Sequence, residues 1–164
     1  MKARANPEFH LSQSALPTII NIIKGYAKIR GSMSFKQFVE TTGENRVNVT
    51  LAHGFLVDLQ ILEGDVQKSC TPLGRELGWT LIHGTEAEIK KLWMKVIEGN
   101  SYCLTLLRDI SEHKEITRAD FQKRIFYFAK YPDPSKDIRV GANTLIKIFE
   151  LAGCVTKSGK YYRV

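Results

Sequence analysis

The sequence lacks most of what marks an enzyme or a membrane protein. Its three cysteines, Cys70, Cys103 and Cys154, are odd in number and far apart. They make neither a disulfide framework nor a metal-ligand spacing, and read as reduced thiols. No apolar run nears the roughly 18 residues that a membrane-spanning helix needs. The opening residues lack the apolar stretch of a signal peptide, so the expectation is a cytoplasmic protein with no membrane partner. His10, His53, His83 and His113 have no metal-site spacing and read as surface or core residues. The only glycine-rich candidate, GRELG at 74–78, lacks the Lys-Ser/Thr ending and strand context of a phosphate loop. Asp109, Glu112, Glu86 and Glu88 read as helix-surface carboxylates without a paired partner for acid–base work. The expectation is a protein that is not an enzyme and has no metal site or cofactor.

What the chain does have is positive charge, unevenly placed. The formal net charge is +7. Residues 1–82 hold 9 basic and 7 acidic side chains, residues 83–164 hold 15 and 10, and residues 116–164 alone hold 10 and 4. The field is concentrated at the C-terminal end, which suits a polyanionic partner. The 43% of hydrophobic residues is ordinary for a chain that buries a core.

The helical patterns are clear. LPTIINIIKGYAKIR (16–30) places Ile19, Ile20, Ile23, Tyr26 and Ala27 on one face, with Pro17 suited to a first turn. Ser34 caps FKQFVETT, which Gly43 ends. RVNVTLAHGFLVDLQIL (46–62) carries a stripe of Val47, Leu51, Phe55 and Leu59, and PLGRELGWTLI follows Thr71. Thr85 to Glu88 form a capping box before a stripe of Ile89, Leu92, Trp93, Val96 and Ile97. That stripe suits either a join within the chain or a homodimer contact. Trp79 and Trp93 are expected in the core. MKARANPEFHLSQ reads as a loose N-terminal arm.

An internal repeat organises these patterns. RVNVTLAHGFLVDLQILEGD (46–65) aligns with RVGANTLIKIFELAGCVTKS (139–158), and SFKQF (34–38) with TRADF (117–121) at an offset ten residues smaller. An insertion at YPDPSKD accounts for the difference. Each copy reads as a helix, a short helix after Ser or Thr, a longer helix and a strand pair. The first pair runs through ILEGDVQKSC. The second runs through GCVTKSGKYYRV, turning at Ser158-Gly159.

Three helices followed by a β-hairpin resemble the winged-helix form of the helix-turn-helix. The runs that carry the likeness are LVDLQIL (56–62), FELAGCV (149–155) and Thr71-Pro72-Leu73-Gly74 after the first hairpin. The resemblance is to prokaryotic winged-helix regulators and their uncharacterised relatives. It implies a mainly α fold with small β-hairpins (α+β), in tandem winged-helix domains at 1–82 and 83–164, the second including a linking helix.

In such domains the third helix enters the major groove. Residues four apart share a helix face, so Arg139, Asn143 and Lys147 form one polar row, with Val140, Leu145, Ile148 and Leu151 or Ala152 pointing away. Arg suits guanine and Asn suits adenine. Lys157, Lys160 and Arg163 add charge to the hairpin, where one of Tyr161 and Tyr162 anchors to the core. Lys136, before the helix, is a candidate backbone contact. The matching row in the first copy, Arg46, Thr50 and Gly54, is thinner, and Glu63 and Asp65 would repel phosphate. The expectation is a transcription-regulator-like protein that binds double-stranded DNA through its second copy. The alternative is a winged-helix module for protein–protein contacts.

Overall fold

The computed structural model describes residues 7–164. It is mainly helical, with two small antiparallel sheets of three strands each. The first half runs α1 (Leu16–Ala27), β1 (Met33–Ser34), α2 (Phe35–Thr42), α3 (Arg46–Asp58), β2 (Leu62–Glu63) and β3 (Gln67–Cys70). Two helices follow, α4 (Pro72–His83) and α5 (Glu86–Glu98). The second half repeats the order of the first: α6 (Ser101–Ser111), β4 (Ile116–Thr117), α7 (Arg118–Ala129), α8 (Lys136–Leu151), β5 (Thr156–Ser158) and β6 (Tyr161–Arg163). No described helix is long and apolar enough to cross a membrane.

Local chemistry explains the helix ends. Ser34 and Gln37 form a reciprocal capping box, as do Thr85 and Glu88, and Gly43 closes α2 in the left-handed conformation at φ 71°. Thr117 and Ser135 cap α7 and α8 through their hydroxyls. The hairpin β5–β6 turns on Gly159 and Lys160, because Ser158 faces Tyr161. Gly159 has a φ of 60°, which suits the first central position of a two-residue turn. The third strand of each sheet is absent from the sequence reading. β1 and β4 are two residues each, too short to show alternation, and exist by pairing with β3 and β6.

The ten-residue insertion is spread over three places rather than held in one loop. α7 is four residues longer than α2. The connection 130–135 is three residues longer than 43–45, and α8 starts three residues ahead of Arg139, the counterpart of Arg46. Lys136 therefore belongs to the first turn of α8 and does not precede the helix.

One continuous core joins the halves. Leu92, Trp93, Val96 and Ile97 of α5 are buried within the chain, between α4, α6 and α8. On α3 the inward positions are Val49, Ala52, Phe55 and Leu56, whereas Val47 is 61% exposed. On α8, Gly141 and Thr144 face inward and Val140 lies at the surface. Trp79 also departs from expectation and is 43% exposed, stacked on His83. Gly78 explains it: a Cβ there would sit 2.3 Å from the Ala27 Cβ. α1 and α4 touch at Gly78, and the next residue turns away from that contact.

The largest correction concerns the N-terminal arm. Of the stretch read as loose, residues 1–6 lie outside the described residues, and residues 7–13, together with Ser14, form a fixed strap between the halves. Phe9 is buried, stacked on Tyr102 of α6 at 4.2 Å and edge-on to Phe55 of α3 at 5.9 Å. The Glu8 N–H donates to the Ala129 carbonyl (2.9 Å), and the Leu11 N–H to the Tyr131 hydroxyl (3.1 Å). The His10 N–H and ring both meet the Asp58 carboxylate. The Thr144 hydroxyl donates to the Ser14 carbonyl at 2.6 Å. The strap's polar side chains disguise a segment pinned by the N–H groups of Glu8, His10 and Leu11 and by the buried Phe9 and Leu11 side chains.

His53 gives the first half a pH dependence. Its Nε2 lies 2.7 Å from the Tyr26 hydroxyl, a hydrogen bond that the neutral ring makes with either tautomer, as acceptor or donor. Burial, with the Lys68 charge adding to it, lowers its pKa from 6.5 to about 4. Between those values the unfolded chain binds the proton and the folded chain does not. Stability is therefore full above pH 6.5, falls as the pH drops towards about 4, and gains no further loss from His53 below that. Thermal melts across this window should show the slope, and His53→Gln should flatten it.

Candidate nucleic-acid interface

The outward face of α8 is narrow. Ile138, Ala142, Leu145, Ile146, Ile148 and Phe149 are buried, while Lys136, Arg139, Val140 and Lys147 are exposed and Asn143 is half-buried between them. The i, i+4 row therefore lies at the surface in its expected order. It is not free of partners: the Gln122 amide of α7 donates to the Asn143 side-chain oxygen at 2.6 Å. That leaves the Asn143 NH2 as its open group, a donor towards a base edge or phosphate. The bidentate pairing with adenine that its residue type suggests needs the oxygen as well.

Beside this row, the hairpin and the start of α7 complete a cleft of about 160 Å³. Arg118, Asn143, Lys147, Glu150, Lys157 and Tyr162 line it. Tyr162 is the anchoring tyrosine, buried and edge-on to Phe121 at 5.7 Å. Lys157 pairs opposite Tyr162 across the hairpin, and its ammonium lies 5.8 Å from that ring. Side chains that pair across a ladder share a face, so Lys157 turns towards α8. Lys160 lies in the turn, 5.4 Å from the Tyr161 ring centre.

Arg163 does not join the group. It sits opposite Thr156 at the base of the hairpin and is held by the Glu115 carboxylate. Its charge is already answered there.

Arg118 and Gln122 were absent from the sequence-derived set. The signal was present in TRADF, where Arg118 follows the capping Thr117. Only the packing of α7 beside α8 shows that its side chain reaches the row. Asp109 accepts from both Nε (2.7 Å) and Nη2 of Arg124.

The matching face of the first half is chemically different. Arg46 lies over the Phe35 ring at 5.6 Å, and the Thr50 hydroxyl turns back to the Arg46 carbonyl. A Cβ at Gly54 would meet the His10 side chain at 3.1 Å, so the strap covers that end of α3. Val47 and Val57 are exposed on the remainder. In the first hairpin, the Lys68 ammonium donates to the Gly64 carbonyl at 2.9 Å, beside exposed Glu63 and Asp65. No group of acidic, cysteine and histidine side chains suited to a metal ion occurs among the described residues. Comparison with protein-family models, curated proteins and solved structures gives no match for this chain.

Proposed function

We propose that the chain is a tandem winged-helix protein that binds double-stranded DNA, chiefly through its second half. α8 lies in the major groove, and the hairpin β5–β6 meets the phosphates beside it. The observation that carries this reading is the convergence of Arg118, Lys147 and Lys157 on one cleft, continued along α8 by Arg139 and Lys136. Glu150 is the single acidic residue in the cleft lining. Arg163 has no part, because Glu115 holds it. The unpaired cysteines fit a reducing compartment such as the cytoplasm.

Titration of a labelled duplex at several salt concentrations tests the proposal. If the cations named here and Lys160 each meet a phosphate, roughly six contacts give a log–log salt slope of about −5. Reversing two charges, Lys147→Glu with Lys157→Glu, should weaken binding and flatten the slope by about 2. Both side chains are exposed, so the fold should survive. No binding at low salt would sink the reading. It would leave the alternative of a protein-contact module, for which the exposed Val47 and Val57 of α3 and the acidic first hairpin speak.

A further inference from the structure

A second cavity, of about 420 Å³, adjoins the other end of the α8 row. Arg139 belongs to both the row and this cavity, and Gln122, which holds Asn143, lines it as well. Its walls are aromatic: Phe126, Tyr127 and Tyr131, closed by Pro132 and Pro134. Lys123 and Arg139 supply charge, and no carboxylate lines it. Asp120 lies outside the lining, 3.8 Å from Lys123.

Tyr127 is the unusual member. It is 70% exposed, on a chain whose other buried or half-buried tyrosines mostly pack or hydrogen-bond within the fold. Its ring is nevertheless supported. The Arg124 guanidinium lies 5.4 Å from the ring centre, and Asp109 fixes that guanidinium through two nitrogens. Tyr131 is fixed too, by its bond from Leu11. Pro132 and Pro134 restrict the backbone of the lining. An exposed aromatic backed by one guanidinium and set beside two further cations is a stacking platform for a flat ring joined to an anion.

We infer that this cavity takes an unpaired nucleotide continuing from the duplex, with the base against Tyr127 and the phosphate near Lys123 and Arg139. The inference rests on the duplex reading above and narrows it: the preferred ligand is a duplex with a single-stranded end. Arg139 then marks where paired and unpaired strands meet.

The test compares a blunt duplex with the same duplex carrying a short overhang, by fluorescence anisotropy. A 2-aminopurine placed in the overhang reports stacking directly. The overhang should tighten binding at least about fivefold, the low end of one base–aromatic stack, and quench the reporter. Tyr127→Ala should abolish both effects and leave blunt-duplex affinity nearly unchanged, while Tyr127→Phe should restore them. Equal affinity for the two ligands overturns the inference, as does an overhang advantage that survives Tyr127→Ala. If the blunt duplex fails to bind but a single strand is quenched through Tyr127, the duplex reading falls and the cavity assignment stands.

Discussion

Replacing Phe9 with alanine is expected to destabilise the protein by about 3–5 kcal/mol, the usual range for deleting a fully buried aromatic. The ring is 2% exposed and touches two helices from different halves, Tyr102 on α6 and Phe55 on α3. Its removal loses the transfer free energy, two aromatic contacts, and the wedge that sets the halves against each other. For a chain of this size the melting temperature should fall by roughly 6–20 °C. Because Phe9 couples the halves, the urea transition should also broaden or split. A loss below about 1 kcal/mol, with one sharp transition, would show that the strap is not what joins them.

Gly141→Ala should act on the same strap from the opposite side. A Cβ at that position would lie 1.6 Å from the Ser12 carbonyl oxygen and 2.7 Å from its carbon. The obstacle is backbone, so no side-chain rotation relieves it. The strap must lift, and the bond from Thr144 to the Ser14 carbonyl goes with it. The expected loss is about 3 kcal/mol, at the upper end for overpacking. Gly99→Ala is the control. Its Cβ would meet nothing closer than 3.4 Å and its φ is −80°, so the change should stay within about 0.5 kcal/mol. Combined with Phe9→Ala, Gly141→Ala should cost less than the sum, because both changes release one segment. Additive losses would mean that Ser12 and Phe9 are held independently. Gly141 is buried on α8 while Arg139 and Lys147 are exposed, so the duplex affinity proposed above should persist in molecules that remain folded.

Much of the chemistry close in sequence was legible, although the hairpin turn lies on Gly159 and Lys160, one residue beyond the Ser158-Gly159 expected. Ser34 with Gln37, and Thr85 with Glu88, satisfy helix-end donors three residues apart. The row Arg139, Asn143 and Lys147 follows from four-residue spacing alone, and it reached the surface in order. The repeat also survives, as the same element order in both halves. Other features lay beyond local reading. β1 and β4 are too short to carry a pattern and are defined by partners in β3 and β6. Trp79 looked like core because its neighbours are apolar, yet the approach of α1 at Gly78 turns it outward. Arg163 resembled Lys157 until Glu115 took its charge.

Most of the helices, the caps at Ser34 and Thr85, the doubled order of elements and the basic bias of the second half were therefore legible in the sequence. Each of these depends on groups within a few residues of one another, or on composition alone. The tertiary structure decided which faces are buried, which cations share a cleft, and that residues 7–14 are a strap. Those outcomes depend on contacts such as Ser14 with Thr144, 130 residues apart. Such a contact forms only when the rest of the chain has brought its partners together, and no spacing along the sequence records it.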